Sequence, residues 1–271
     1  MISKNIDVRN TELTDPKHKM PALFIGHGSP MNAIEDNEFS HRWAEVGASL
    51  PTPKAILCVS AHWETESIRV TAMEQPRTIH DFRGFPKALS ELRYPAPGSP
   101  ELADRIRTLL PVNTTQLNYV WGLDHGAWSI LCRMFPHAEI PVAQLSLVRH
   151  REPEFHFAHG AALAPLRDEG VLVIGSGNIV HNLHTLVWQD RAFDWAVEFD
   201  TAVQKRIVAG DFEAVVHYEK LGAAAQQAVP TNEHFLPLLY VLGMKTPEDT
   251  VEFFCEKVTL GSISMRSIKV G

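Results

Sequence analysis

The chain is poor in cysteine, has no long apolar run and carries no excess of positive charge. Its three cysteines, Cys58, Cys132 and Cys255, lie far apart among apolar neighbours. That odd, scattered set offers neither a disulfide framework nor a thiolate zinc site. It reads as buried, reduced thiols in a cytoplasmic protein. No apolar stretch is long enough to span a membrane. The opening residues, MISKNIDVRNTELTDPKHKM, lack the apolar centre of a secretory signal. They read as a flexible tail over residues 1–19. A net charge of −7 removes the basic surface that phosphates require, so neither nucleic acid nor membrane is expected as a partner. The familiar nucleotide signatures are missing too, with no Walker loop and no strand followed by Gly-x-Gly-x-x-Gly. Gly175-Ser176-Gly177 is only a fragment of such a fingerprint, and there is no His-Glu-x-x-His. Gly26-His27-Gly28-Ser29-Pro30 does not place Ser29 as a nucleophile elbow would.

What the chain does have is histidine, 14 in 271 residues, within an ordinary 45% hydrophobic composition. Length and composition predict one α/β domain over residues 20–271, a central mixed, largely parallel sheet flanked by helices. Three apolar runs each end in small residues and then deliver a histidine. They are Ala22–Gly26 before His27, Ala55–Ala61 before His62, and Val171–Ile174 followed by Gly175-Ser176-Gly177-Asn178 and His181. Such runs read as buried parallel strands. Ligands in open α/β sheets bind beyond the carboxyl ends of the strands. Histidines brought to that edge point to a metal site.

Around these runs the pattern predicts helices over residues 38–50, 124–135, 152–169, 193–209 and 231–242, the last capped by Thr231, and a further helix that Ser99 caps with Pro100 at its first position and Glu101 in its first turn. Further strands are predicted over residues 67–73, 140–147, 251–256 and 262–270. The stretch from Glu74 to Gly98, rich in Pro, Gly and aromatics, is long for an idle loop. Phe82, Phe85 and Tyr94 in it are candidate walls for an aromatic ligand. His234, at the predicted helix start, would be kept neutral by the helix dipole, the form a metal needs. Glu233 lies about 100° round that helix. Asp124 reads as a helix cap, and His125-Gly126 is a poor helix opening unless it serves a site. His181 suits a ligand or an acid–base group. His18, His41, His137, His150, His156, His159, His184 and His217 read as solvated.

Motifs spread in order along the chain carry a resemblance. They are Gly26-His27-Gly28-Ser29-Pro30-Met31, Ser60-Ala61-His62-Trp63, Ile79-His80-Asp81-Phe82-x-Gly84-Phe85-Pro86, Tyr94-Pro95-Ala96-Pro97-Gly98, Asp124-His125-Gly126-x-Trp128, Gly175-Ser176-Gly177-Asn178-x-Val180-His181-Asn182 and Glu233-His234-Phe235-x-Pro237-Leu238. From about Met20 to the C-terminus the chain resembles the class III extradiol ring-cleavage dioxygenases, in their DOPA 4,5-dioxygenase-like branch. The resemblance implies an α/β fold and a mononuclear non-heme metal on His27 and His62, completed by His181 and His234. Relatives that cleave protocatechuate use two histidines and a glutamate, with a further histidine as acid–base catalyst. His181 matches that catalyst best, and whether it also touches the metal stays open. His234 is favoured over Glu233 as third ligand, and His125 matches a substrate-side histidine. Catalytic roles are therefore expected for His181 and His125. The implied activity is Fe(II)-dependent opening of a catechol ring by O2, with DOPA as the type of substrate. Two other readings use the same histidines: a zinc hydrolase, since imidazoles also suit Zn(II), and a non-enzymatic metal-binding protein. The oligomeric state is open, a monomer being compatible.

Overall fold

The computed structural model describes residues 19–112 and 114–271. The predicted tail and His18 lie outside the described residues, apart from Lys19 at the tail's end. Ten strands are present among the described residues: β1 (Ala22–Gly26), β2 (Ala55–Thr65), β3 (Ile68–Thr71), β4 (Thr115–Asn118), β5 (Val142–Val148), β6 (Val171–Gly177), β7 (Val251–Phe254), β8 (Val258–Thr259), β9 (Ile263–Ser264) and β10 (Ser267–Val270). Eight of them form one sheet in the order β4-β3-β5-β2-β6-β1-β10-β7, and β8 and β9 form a small ribbon. The middle pairs, β5-β2, β2-β6 and β6-β1, are parallel. Antiparallel pairs β3-β5, β1-β10 and β10-β7 enclose them. The architecture is the mixed, mostly parallel sheet expected.

Each central strand is buried on both sides, and its alternate residues divide between two cores. Ala22 and Phe24 of β1, Leu57 and Val59 of β2, and Val173 of β6 face one. Leu23 and Ile25, Ile56 and Cys58, and Leu172 and Ile174 face the other. Helices cover both: α1 (Glu38–Ser49), α2 (Lys87–Glu91), α3 (Pro100–Leu109), α4 (His125–Met134), α5 (Pro153–Leu163), α6 (Pro165–Asp168), α7 (Asp194–Val208), α8 (Phe212–Val216), α9 (Ala224–Ala228) and α10 (Leu236–Gly243). Trp43 of α1 and Trp128 of α4 fill the second core. Helix α10 is apolar all round and buried along Leu236–Leu242, as a helix inside the protein must be. It crosses α5 closely, Gly160 lying against the Tyr240 backbone and Gly243 against Phe157.

Several expectations change. The predicted helix over residues 152–169 is two, α5 and α6, because Pro165 cannot donate to the helix ladder. Thr231 caps nothing: α10 starts at Leu236, so His234 lies before the helix in a turn. His181 precedes a short 3-10 turn, not an α-helix. The last predicted strand is interrupted into β9 and β10. Strands β4 and β8 and helices α2, α8 and α9 were not anticipated, the strands being four and two residues long and the helices five, and α2 lies inside the stretch read as irregular. His156 and His159 are buried, not solvated. Cys58 is buried, whereas Cys132 and Cys255 are half-buried; all three are free. No helix among the described residues is long and apolar enough to cross a membrane.

Candidate metal centre

The carboxyl edge of the parallel strands gathers five histidines around one cavity of about 770 Å³: His27, His62, His125, His181 and His234. His27 follows β1 directly, and its backbone N–H donates to the Gly177 carbonyl at the end of β6 (3.1 Å). His62 is not beyond its strand but inside it. β2 continues to Thr65, and its register against β5 shifts between Val59 and Glu64. Such an irregularity re-aims side chains, and here it carries His62 into the cavity. Gly126 makes room for it. A Cβ there would stand 2.6 Å from Ser60 Oγ and 2.9 Å from His62 Cδ2. The odd glycine behind His125 is thus a packing requirement of His62.

Gly177 plays the same part for His234. A Cβ would fall 2.1 Å from the His234 carbonyl, which accepts from Asn178 N–H at 2.8 Å. The Gly175-Ser176-Gly177 turn is therefore a seat for the residues before α10 rather than a phosphate loop. Asp124 caps α4 as predicted, its side chain accepting from Ala127 N–H. Fully buried, it also accepts from Ser60 Oγ (2.7 Å) and from the Gln144 amide. Burial raises its pKa above the usual carboxylate value.

Hydrogen bonds fix which imidazole nitrogen faces the cavity. Ser176 Oγ donates its proton to the Gly126 carbonyl (2.6 Å), so its contact with His27 Nδ1 (2.9 Å) is donated by the imidazole. His234 Nδ1–H donates to Glu233 Oε1 (3.0 Å), and His125 Nδ1–H donates to Asp81 Oδ1 (2.9 Å). The second Asp81 oxygen lies 3.6 Å from His62 Nδ1. A partner on Nδ1 leaves Nε2 as the free ligand atom.

His27, His62 and His234 each offer a nitrogen within 4.8 Å of the others. His27 Nε2 and His62 Nε2 are 3.1 Å apart. Two nitrogens each about 2.1 Å from one ion stand about 3.0–3.4 Å apart for right-angled to tetrahedral coordination. His234 Nε2 is buried without a hydrogen-bond partner, an orphan that costs free energy unless something binds it. The donor set fits a divalent ion.

His181 groups instead with His234 and Glu233. Its ring stacks on His234, 3.4 Å between centroids and 9° between planes. His125 packs on His62 with centroids 3.9 Å apart. Burial, then the surrounding imidazoles, hold His27 and His234 well below the ordinary histidine pKa. Burial and His125 push His62 down to about 3 against the opposing pull of Asp81. Burial takes His181 to about 4, with Glu233 opposing. These four imidazoles are therefore neutral near pH 7, ready to bind a metal or accept a proton. Helix position plays no part at His234.

The cavity wall is aromatic and aliphatic. Phe82 stands edge-on to His125 (5.6 Å) and to Phe85 (5.3 Å). Leu183, Leu186, Trp188 and Ile263 also line the cavity. Trp188 is 75% exposed. Tyr94 is no wall: it is buried in the second core, its hydroxyl donating to the Phe135 carbonyl (3.0 Å). Asp81, Ser176 and Trp188 were not singled out from sequence. Asp81 alone had a signal, a carboxylate beside His80 in the irregular stretch.

Comparison with known proteins meets this geometry. The chain is 46% identical over 260 residues to "4,5-DOPA dioxygenase extradiol" of Escherichia coli K12, covering 93% of this chain and 95% of that one. It is 42% identical over 258 residues to the protein of the same description from Beta vulgaris, covering 91% and 95%. A crystal structure of an uncharacterized Escherichia coli K12 protein superposes with a TM-score of 0.82 at 41% identity, over 93% of this chain and all of that one. The profile described as the catalytic LigB subunit of aromatic ring-opening dioxygenase matches residues 21–269. Spanning nearly all of the described chain, that match means that this protein belongs to the LigB family of aromatic ring-opening dioxygenases.

Proposed function

We propose that this protein opens the ring of a DOPA-like catechol by 4,5-extradiol cleavage with O2, at a single Fe(II) held by His27, His62 and His234. The observation that carries the reading is the convergence of three neutral imidazoles, with two of their Nδ1 atoms tied to Ser176 and Glu233. Two relatives bear the description "4,5-DOPA dioxygenase extradiol", which supports the substrate type. A bound Fe(II) would lower the pKa of the catechol hydroxyls and hold both reactants together.

The chain's own groups do the rest. His181, neutral and beside the ligand set, accepts a hydroxyl proton as the catechol settles and returns it when the ring opens. His125 is a second base. Its Nδ1–H is engaged by Asp81, so its Nε2 carries the lone pair, and the carboxylate steadies the imidazolium once formed. Phe82, Phe85 and Trp188 hold the aromatic plane and keep water from the reacting edge. Asp81 and Glu233 supply two negative charges against a divalent ion, which neutral imidazoles alone would leave unbalanced.

The test is oxygen uptake and formation of a yellow product when anaerobically Fe(II)-loaded protein meets DOPA in air, with Zn(II)-loaded protein as control. Stoichiometric uptake with iron alone is expected. No uptake with any catechol at a filled site would overturn the reading in favour of a zinc hydrolase or a binding protein.

A further inference from the structure

The cavity mouth carries two charged side chains that the proposed chemistry does not use. Arg83 follows Phe82 on the stretch whose Asp81 reaches the histidines, and Glu35 follows the turn that begins at Gly28. Both line the cavity and both are exposed. The other carboxylate there, Asp81, is taken by His125 and His62. Among the described residues, neither Arg83 nor Glu35 has an ion-pair partner, and they do not pair with each other. The arginine nearest in the fold to Glu35 is already occupied. Arg133 bonds the carbonyls of Asn32 and Glu35 and pairs with Asp36 (3.1 Å). Glu35 thus has its backbone pinned and its carboxylate free.

Opposite charges at one opening suit a ligand that carries both. We infer that Arg83 and Glu35 select the substrate's side arm, Arg83 binding a carboxylate and Glu35 an ammonium, so that an amino-acid catechol is preferred. The inference rests on the catechol reading above. A catechol bound through its two hydroxyls points the opposite edge of the ring, and any arm on it, away from the histidines and toward the mouth. A guanidinium presents a fork that matches a carboxylate, which a lysine would not. Both groups are solvated, so each contact contributes about a two- to fivefold preference rather than more.

The experiment compares DOPA, dopamine, 3-(3,4-dihydroxyphenyl)propionate and 4-methylcatechol on Fe(II)-loaded protein. Dissociation constants are measured without oxygen beside kcat/KM in air. Arg83→Gln is expected to lower the preference for the two acids over dopamine and 4-methylcatechol by about two- to fivefold. Glu35→Gln is expected to lower that of DOPA and dopamine over the other two by a similar factor. Equal losses on all four ligands, or unchanged preferences in both variants, would overturn the inference. If no catechol is turned over yet the anaerobic preferences shift as stated, the recognition stands and the dioxygenase reading fails. If 4-methylcatechol is opened but the preferences do not move, the reverse holds.

Discussion

At the residue scale, the centre works because His27, His125 and His234 each have Nδ1 occupied, by Ser176, Asp81 and Glu233, which turns Nε2 to the cavity. Asp81 is the clearest case, since its two oxygens face His125 and His62. Asp81→Asn keeps the shape but presents an amide, so the imidazoles lose the charge that orients and steadies them. Outer partners of this kind are typically worth about 10- to 100-fold in metal affinity or activity. A kcat loss in that range is expected, with unfolding temperature nearly unchanged; steady-state kinetics beside thermal melts check it. His27 and His181 should part company. His27→Ala removes a nitrogen from the converging set, so metal retention and turnover disappear together. His181→Ala removes a group that stacks on His234 but faces Glu233, so turnover is lost while much of the metal stays. Metal analysis after dialysis separates the two, and complete metal loss in His181→Ala would make it a ligand.

At the element scale, the site depends on close approaches between the strand ends and the elements beside them. Gly126→Ala improves the helix propensity of α4 by about 1 kcal/mol, yet its Cβ would press on Ser60 Oγ and His62 Cδ2. The expected result is a stable protein with displaced His62 and poor metal retention, seen as intact circular dichroism with a reduced metal-to-protein ratio. This shows what sequence reading can reach. The strand cores were legible because Val, Ile and Leu runs bounded by glycine have one physical reading. The glycine at 126 was legible as an anomaly only, because its reason is a side chain 64 residues away in the chain. His234 was placed on a helix because Phe235–Leu242 is apolar throughout, and an apolar run does not mark where a helix starts. The burial of His156 and His159 was missed for a different reason: His156 packs against Tyr240 of α10, a partner 84 residues away in the chain. That pair predicts a pH effect. His156 is pushed down to about 4, chiefly by burial, with Nδ1 3.4 Å from the Tyr240 hydroxyl oxygen. Below about pH 6.5 the unfolded chain binds a proton that the folded chain refuses until about pH 4, so stability falls over that window as pH drops. One such proton is worth at most about 1.4 kcal/mol per pH unit. Urea unfolding of the wild type and His156→Gln from pH 7 to 4 should show the variant's stability falling less steeply by about one proton.

At the scale of the whole molecule, the edge of the sheet opposite the site has its own centre. Arg167 of α6 is fully buried. Its Nε donates to the Met20 carbonyl (2.7 Å) just before β1, and its Nη atoms donate to the carbonyls of Met244 after α10 and Val270 at the end of β10. The same guanidinium pairs with Asp249 through both oxygens (2.6 and 3.0 Å), and Lys19 and Thr246 N–H also reach that carboxylate. One side chain therefore ties the start of β1, the end of α10 and the last strand together. Removing it leaves the Asp249 carboxylate with Lys19 and Thr246 alone and takes one donor from each of three carbonyls. Arg167→Met is expected to destabilise by about 3–5 kcal/mol, the cost of breaking a buried pair from one side. Metal affinity of the folded variant should be little changed, because the histidines lie at the other end of the strands. The Arg167 and Lys19 cations and the Thr246 N–H overcome the burial cost and hold the Asp249 carboxyl well below its ordinary value. A depressed folded pKa contributes stability that is fully present above the unfolded value of about 3.9 and is lost as pH falls toward the folded one. The wild type should therefore lose stability steeply below about pH 4, whereas Asp249→Asn starts lower at neutral pH and loses less over the same interval. Urea midpoints for both proteins between pH 5 and 2.5 decide it: parallel curves would mean that this node is not the acid-labile element of the fold.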